Sequence, residues 1–361
     1  MAAPPPAPAL VDDVVEEILL RCPPDDPARL VRAAAACKGW RRLVSDPRFG
    51  RRFRELHRTP PLLGFLYCRR APVLFESTTS FRPPHAFPFS WRAIDARHGR
   101  VLLSPFSVAP KKERLIVWCP VTGDLRSLPM PQFGYGHWTA ALLCAAPGCG
   151  HLYCGCGPFL VVFVGTDNSY QRTSVCVYSS EASAWSEPTS VQHIGTWIDK
   201  GPSTLVGNAL YFLFERPRQI LQHNLVTREV SVIEVPAAVA SYGCYMVLTT
   251  AEEGVLGLAI ATGSRLLLWS REAGSDRDEG WVQSRVIELK GLLPPEALVT
   301  SPGAVGFADG VGVVIIRTSG GFFFTVDMKS SCVRKIGNGL SHHYVVPYMN
   351  FFTPGMVLIF N

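Results

Sequence analysis

At Thr59-Pro60-Pro61 the chain changes texture, and this change constrains its fold more than any other feature of the sequence. Before that point apolar residues recur at helical spacing. After it, short β-rich runs alternate with Gly, Pro, Ser and Asp. Two consecutive prolines cannot continue a helix. The 361 residues therefore divide into a small helical part and a much larger β part, each with a core of its own.

On the helical side, Asp13 lies three residues before Glu16, the spacing of a capping box. Val14, Val15, Ile18 and Leu19 then form one apolar stripe, and Pro23-Pro24 ends that helix near Cys22. Asp26 followed by Pro27 predicts a second helix, with Leu30, Val31, Ala34 and Ala35 on its apolar face. A third runs through Trp40, Leu43 and Val44. Asp46-Pro47 repeats the cap-then-proline start, and Phe49, Phe53 and Leu56 give the last helix its apolar side. These stripes are wider than a three-helix core requires. The surplus predicts a helix-packing partner or docking onto the downstream domain, and the spacing alone leaves both open.

Charge sharpens the picture. The formal net charge is +6, yet residues 1–37 hold three basic and six acidic groups. The excess sits in residues 38–58, where Lys38, Arg41, Arg42, Arg48, Arg51, Arg52, Arg54 and Arg58 face only Asp46 and Glu55. Such a cluster is a solvated helix face, a surface for an acidic protein, or, less readily, a nucleic-acid contact. On the last helix, Arg48, Arg51 and Arg52 should point away from Phe49 and Phe53.

Beyond the hinge, RLIVWC (114–119), FLVVFV (159–164), SVCVY (174–178), ALYFLF (209–214), RLLLW (265–269), GVVII (312–316) and GFFFTV (321–326) read as strands, with no long helical period. A degenerate repeat runs through them. VWCPVTGDLRSLP (117–129) is echoed by QHNLVTREVSVIEVP (222–236), and more loosely by VYSSEASAWSEP (177–188) and TVDMKSSCVRKIG (325–337). Hairpin repeats of about 45 residues predict six or seven propeller blades. The C-terminal run MVLIF (356–360) is expected to pair with LLGFLY (62–67) and close the ring.

The stretch LVDDVVEEILLRCPPDDPARLVRAAAACKGWRRLVSDPRFGRRFRELH carries a resemblance. Leu10, Asp12, Asp13, Glu17-Ile18-Leu19, Pro23, Leu30, Arg32, Cys37-Lys38, Trp40-Arg41, Leu43 and Phe49 follow the order and spacing of an F-box. Val11 departs from the usual proline. Gly39 sits in the third helix, where glycine costs roughly 1 kcal/mol against alanine. The later stretches VWCPVTG…LP, VGNALYFL (206–213) and LWSREA…GWVQSRVIEL (268–289) look like the C-terminal domains of plant F-box proteins. The resemblance implies an α+β multidomain chain: a disordered lead at 1–9, an F-box at 10–57, a linker at 58–62 and an all-β propeller-like recognition domain at 63–361. It implies binding to a Skp-type adaptor and, through it, a cullin. The adaptor contacts it implies are Leu10, Val11, Val14, Val15, Ile18, Leu19, Pro23, Leu30, Val31, Trp40, Leu43 and Val44. The β domain would hold an unknown protein substrate. The alternative is a β-propeller binding or ligand-sensing protein acting without a ligase.

No catalytic or cofactor pattern is expected. GCGHLYCGCG lacks the Lys-Ser/Thr of a phosphate cradle, no G-x-S-x-G or H-E-x-x-H occurs, and AVGFADGVGVV lacks the helix a dinucleotide site needs. His342-His343 fits a surface loop better than a ligand pair. The densest thiol cluster is Cys144, Cys149, His151, Cys154 and Cys156, which lacks the paired spacing of two zinc knuckles. It reads as thiols on a Gly-rich hairpin, with no metal. Eleven scattered cysteines fit a reducing compartment. No run is long enough to span a membrane, and the N-terminus lacks a secretory pattern. The expected location is cytoplasmic or nuclear. Tyr135, Trp138 and Trp197 are candidates for substrate contact by residue type alone, with core packing as the competing expectation.

Overall fold

The computed structural model describes residues 11–68, 73–85, 91–105, 114–147, 149, 151, 154, 157–193, 195–215, 219–240, 246–272, 280–338 and 344–355. Four short helices come first: α1 (Asp12–Leu20), α2 (Pro27–Ala36), α3 (Lys38–Ser45) and α4 (Pro47–His57). The capping box expected at Asp13 does not form. Val11 is the N-cap of α1, so Asp12 and Asp13 lie inside the first turn, where their charge meets the positive end of the helix dipole. Asp26 pairs with Arg29 at 3.0 Å and does not cap α2 with its side chain, though Pro27 opens the helix as expected. Cys37 caps α3, its sulfur accepting from the Trp40 amide at 3.4 Å. Asp46 caps α4, accepting from the Arg48 amide at 2.7 Å. Gly39 falls in the first turn of α3, outside the helix interior where glycine costs most.

The helices close over Val15, Leu19, Leu20, Leu30, Val44, Phe49 and Phe53, joined by Phe351 from the far end of the chain. Leu56 is 56% exposed and does not share the buried face with Phe49 and Phe53. His57, one turn after Phe53, covers it instead: the two rings lie 4.5 Å apart, and His57 Nε2 is 2.9 Å from the Leu20 carbonyl.

The β domain begins with β1 (Leu62–Cys68) and β2 (Val73–Ser77). Five antiparallel sheets follow, each wound outward from its first strand. Blade 1 is β3 (Trp91–Arg97), β4 (Arg100–Pro105), β5 (Arg114–Trp118) and β6 (Leu125–Pro129). Blade 2 is β7 (His137–Cys144), β8 (Phe159–Thr166) and β9 (Arg172–Ser179), with β10 (Ala184–Trp185) and β11 (Thr189–Gln192) both on β9. Blade 3 is β12 (Thr204–Val206), β13 (Ala209–Leu213), β14 (Gln219–Asn224) and β15 (Val230–Glu234). A short helix, α5 (Ala237–Ala240), leads to blade 4: β16 (Met246–Thr250), β17 (Leu256–Thr262), β18 (Arg265–Arg271) and β19 (Trp281–Glu288). Blade 5 is β20 (Gly303–Ala308), β21 (Val313–Arg317), β22 (Phe322–Asp327) and β23 (Val333–Asn338). Finally β24 (Val346–Met349) pairs antiparallel with β1, giving a sixth blade ordered β24-β1-β2.

The protein is therefore a six-bladed propeller behind a helical module. Its ring is closed by β24, the strand next in sequence to blade 5. The run 356–360, expected to close it, lies outside the described residues. Closure joins both ends of the β domain in one sheet and leaves the ring without an open inner edge.

Each pair of neighbouring blades shares an apolar core. Ile94 and Leu115 meet Ala140 and Phe163 between blades 1 and 2. Leu143 and Val162 meet Leu210 and Phe212; Tyr211 and Ile220 meet Leu248 and Leu258; Val247 and Leu266 meet Ala304 and Val314. Phe323 and Val305 meet Phe65 and Tyr67, and Leu63 and Tyr348 meet Val101 and Trp118 to complete the circle. Six such cores, each fed by the period-two alternation of two sheets, bury the blades on both faces.

The degenerate repeat has one structural meaning. Its four copies fall on the hairpins β5–β6, β14–β15, β9–β10 and β22–β23, the outer hairpin of blades 1, 3, 2 and 5. In each turn one residue takes positive φ at the same place: Gly123 (80°), Arg228 (61°), Ser183 (52°) and Ser331 (59°).

Candidate functional site

Two surfaces can meet a partner, and the fold sets them at opposite ends. The inner strands β3, β7, β12, β16, β20 and β24 all begin at one end of the ring. The helical module sits at the other, where β24 finishes: the Asn350 amide donates to the Pro61 carbonyl at 3.3 Å, just after α4. The Ala28 amide of α2 also donates to Ser80 Oγ at 3.1 Å, tying the module to the turn after β2.

On the helical module, Val11, Val14 and Ile18 are 67%, 46% and 54% exposed. Their spacings of three and four place them along one side of α1. Val31 on α2 is 46% exposed. Val15, Leu19, Leu30 and Val44, which the sequence placed among the adaptor contacts, are no more than 5% exposed. These four fill the module's own core. Pro23, Trp40 and Leu43 are half-buried. Leu10 lies outside the described residues.

The basic cluster is partly spent within the module. Arg52 reaches across to α1, pairing with Glu16 at 2.6 Å and Glu17 at 2.5 Å. That hydrogen bond holds the Glu17 carboxyl below its ordinary range. Arg41 donates to the Ala34 carbonyl at 3.2 Å. Lys38, Arg42, Arg48 and Arg58 are exposed.

At the far end of the ring, the starts of the inner strands gather aromatic groups. His137 lies 5.1 Å from Trp197, and Tyr170 lies 5.4 Å from the same indole. Desolvation, with the Lys200 ammonium second, holds the His137 imidazole below its usual range. Of the three aromatics read from sequence, Trp197 belongs to this surface group. Tyr135 and Trp138 pack on Phe163 at 5.0 and 5.1 Å, within the core between blades 1 and 2. His137 and Tyr170 were missed; only strand register brings them beside Trp197. His342-His343 lies outside the described residues.

Where blades 1 and 2 meet at the helical end, the thiol cluster is drawn together. The ligand atoms of Cys144, Cys149, His151 and Cys154 all lie within 4.8 Å of one another, while Cys156 lies outside the described residues. A cavity of about 190 Å³ opens beside it, lined by Arg100, Val117, Cys119, Asp124, Leu125, Arg126 and Phe159. It is smaller than the ~300 Å³ at which ligand pockets usually begin. Among the described residues no helix is long and apolar enough to cross a membrane.

A short helical module with an unpartnered apolar stripe, set ahead of a six-bladed propeller, defines the class: an F-box protein whose β domain is a propeller. Comparison with known families agrees. Residues 8–52 match the F-box domain, and residues 92–354 match the family described as F-box protein AT5G49610-like, beta-propeller. The chain belongs to this AT5G49610-like F-box propeller family. It matches no curated protein. Solved structures are similar only at a low level. A protein of unknown function from Bacteroides thetaiotaomicron is 15% identical with a TM-score of 0.39; the match covers 69% of this chain but only 58% of that one. A nidogen/laminin complex gives 10% identity and a TM-score of 0.45 over 78% of this chain and 97% of that one. An α-L-arabinofuranosidase of Fusarium graminearum gives 12% identity and 0.42, over 78% and 87%. At these values nothing about activity passes from those proteins to this one.

Proposed function

We propose that this chain is the substrate-recognition subunit of a Skp–cullin–F-box ubiquitin ligase. The observation that carries the reading is the stripe Val11, Val14 and Ile18. These side chains are 46–67% exposed on a module whose own core is already filled by Val15, Leu19, Phe49 and Phe53. An apolar helix face left open beside a complete core is a docking surface for another helix. A Skp-type adaptor would cover it and bring the cullin with it.

The propeller then points its inner-strand starts, with His137, Tyr170 and Trp197, away from the ligase core, and a protein target would dock there. The chain contributes no bond-making group in this scheme. It raises the effective concentration of a target lysine near a thioester held by other subunits.

The test is direct. Val14→Glu together with Ile18→Glu in the full chain places two charges on the stripe without touching the core. Affinity for a recombinant Skp-type adaptor should fall by about a hundredfold or more, with the melting temperature unchanged. Undiminished binding rejects the assignment and favours a propeller acting outside a ligase.

A further inference from the structure

We propose that Cys144, Cys149, His151 and Cys154 bind one zinc ion, in a four-ligand site that pins the β7–β8 connection to the end of strand β7, beside blade 1 at the F-box end of the propeller. Cys144 ends strand β7 and is fixed by the sheet. The other three come from the β7–β8 connection, whose base is shut by the Ala145 amide donating to the Pro158 carbonyl at 3.0 Å. The sulfurs of Cys149 and Cys154 stand 3.2 Å apart, and the Cys154 sulfur is 3.5 Å from His151 Nδ1. A tetrahedral zinc with bonds of about 2.3 Å to sulfur and 2.0 Å to nitrogen needs edges of about 3.8 Å for S···S and 3.5 Å for S···N. The S···N separation equals its edge, and the S···S separation falls about 0.6 Å short, a gap that a small rotation of either cysteine side chain opens.

The surroundings fit the charge such a centre would carry. Three thiolates and a neutral imidazole around a divalent ion sum to one negative charge, which a nearby cation would balance. Arg100 is 6% exposed and is aimed at this loop. Its guanidinium donates to the carbonyls of Cys154 and Gly157 at 2.7 and 2.5 Å and lies 5.3 Å from the Phe159 ring centre. The His98 ring stacks on His151 at 4.5 Å, an outer contact that sets the orientation of the ligand ring. His98 and Arg100 both belong to blade 1, so the loop that would hold the metal already rests against its neighbour. Soft sulfur ligands with one imidazole, in a set with no open position, select zinc in a structural role over magnesium, calcium or a catalytic ion.

The full chain, reduced, stripped of metal and titrated with cobalt(II), tests the proposal. One cobalt per chain should bind, with the visible ligand-field bands and near-ultraviolet thiolate charge transfer of a tetrahedral site of three sulfurs and one nitrogen, and one equivalent of zinc should bleach them. Cys149→Ser and His151→Ala alter less buried groups than Cys154, so they should stay folded by circular dichroism and lose stoichiometric binding. Cys332→Ser, in the exposed β22–β23 turn, should bind as the parent does. The proposal is overturned by tetrahedral bands that survive both ligand variants. It is equally overturned if no metal binds while a thiol titration shows the cysteines reduced. A Cys149–Cys154 disulfide that forms in air, with no metal capacity after reduction, overturns it in favour of a redox pair.

Discussion

Phe351, two residues past the last strand of the propeller, lies edge-on to Phe53 of α4, with ring centres 6.2 Å apart at 84°. It is 3% exposed and completes the core of the F-box module. The two ends of the chain thus share one hydrophobic cluster, and Gly355 rests against the backbone of Ser45 so closely that a Cβ there would be 2.6 Å from its carbonyl oxygen. The module is held to the propeller by the chain's own C-terminal segment as well as by the 58–61 connection.

Phe351→Ala should therefore destabilise the F-box module by about 3–5 kcal/mol, although it lies some three hundred residues away in sequence. Hydrogen exchange of the α1–α4 backbone amides across a denaturant series reads the module alone. Unchanged protection would show that Phe351 fills space without supporting the helices.

Much of this was legible in the sequence because local rules governed it. The Pro-Pro hinge, the Asp46-Pro47 start of α4 and the strand runs all depend on residues a few positions apart. What was not legible depends on distance. Nothing near Phe351 signals that it leaves the propeller for the helical core. The buried status of Val15 and Leu19 beside the exposed Val14 and Ile18 follows from how α4 leans on α1, which periodicity does not reveal. The sequence grouped Cys144, Cys149, His151 and Cys154 as its densest thiol cluster, but their spacing, unlike paired knuckles, did not show that the ligand atoms converge, because one residue ends a strand and the rest sit on a loop.

The repeat turns offer a second test. Positive φ costs an L-residue roughly 1–2 kcal/mol, and only one of the four equivalent positions, Gly123, is glycine. Gly123→Ala should lower stability by about that amount, because its Cβ would also meet the His85 ring at 3.1 Å. Arg228→Gly should raise stability by at most about 1 kcal/mol, the relief being partly offset by the freer unfolded chain. Thermal denaturation of the two variants should shift in opposite directions; a shared direction would show that these turns are not equivalent.

The arginines of α4 divide by role. If the proposed Skp-type adaptor is the partner and presents an acidic surface, charge reversal at Arg48 should slow association at low salt, with the effect fading as salt rises and dissociation little changed. Arg52→Glu should behave differently, since Arg52 holds Glu16 and Glu17. It should lower the melting temperature slightly at low salt and accelerate dissociation by loosening α1. Stopped-flow mixing with the adaptor separates the two patterns, and identical rate profiles would remove the distinction.

His223 supplies an acid-sensitive element. Its ring is 2% exposed in β14, and desolvation keeps its imidazole below the ordinary value. A histidine with a depressed native pKa binds fewer protons folded than unfolded. Its contribution is therefore present above the unfolded value of about 6.5 and is lost as pH falls below it. His223→Gln should flatten the fall in stability between about pH 6.5 and 5, measured by urea midpoints across that range. A slope unchanged from the parent assigns the acid response to other groups.

Asp199 works in the opposite direction. It precedes β12 of blade 3, and its carboxylate accepts from the Tyr344 hydroxyl at 2.9 Å, just before β24 of blade 6. In a six-bladed ring those blades lie on opposite sides, so this bond links segments that lead into facing blades. Desolvation, with the nearby Glu215 second, raises the Asp199 pKa above its ordinary value. The folded state then binds the proton more tightly than the unfolded chain. Stability from this group is full below the unfolded value of about 3.9 and is lost as pH climbs through the raised native value. Asn at this position keeps an oxygen to accept from Tyr344 and removes the buried charge. Asp199→Asn should leave stability at pH 7 equal to or above the parent, and the gap should close as pH drops toward 4. Tyr344→Phe should cost about 1 kcal/mol at pH 7, and it should cost little in the Asn variant only if the bond depends on the charge. A loss of stability at pH 7 in Asp199→Asn would show that the ionised carboxylate strengthens this bond by more than its burial costs.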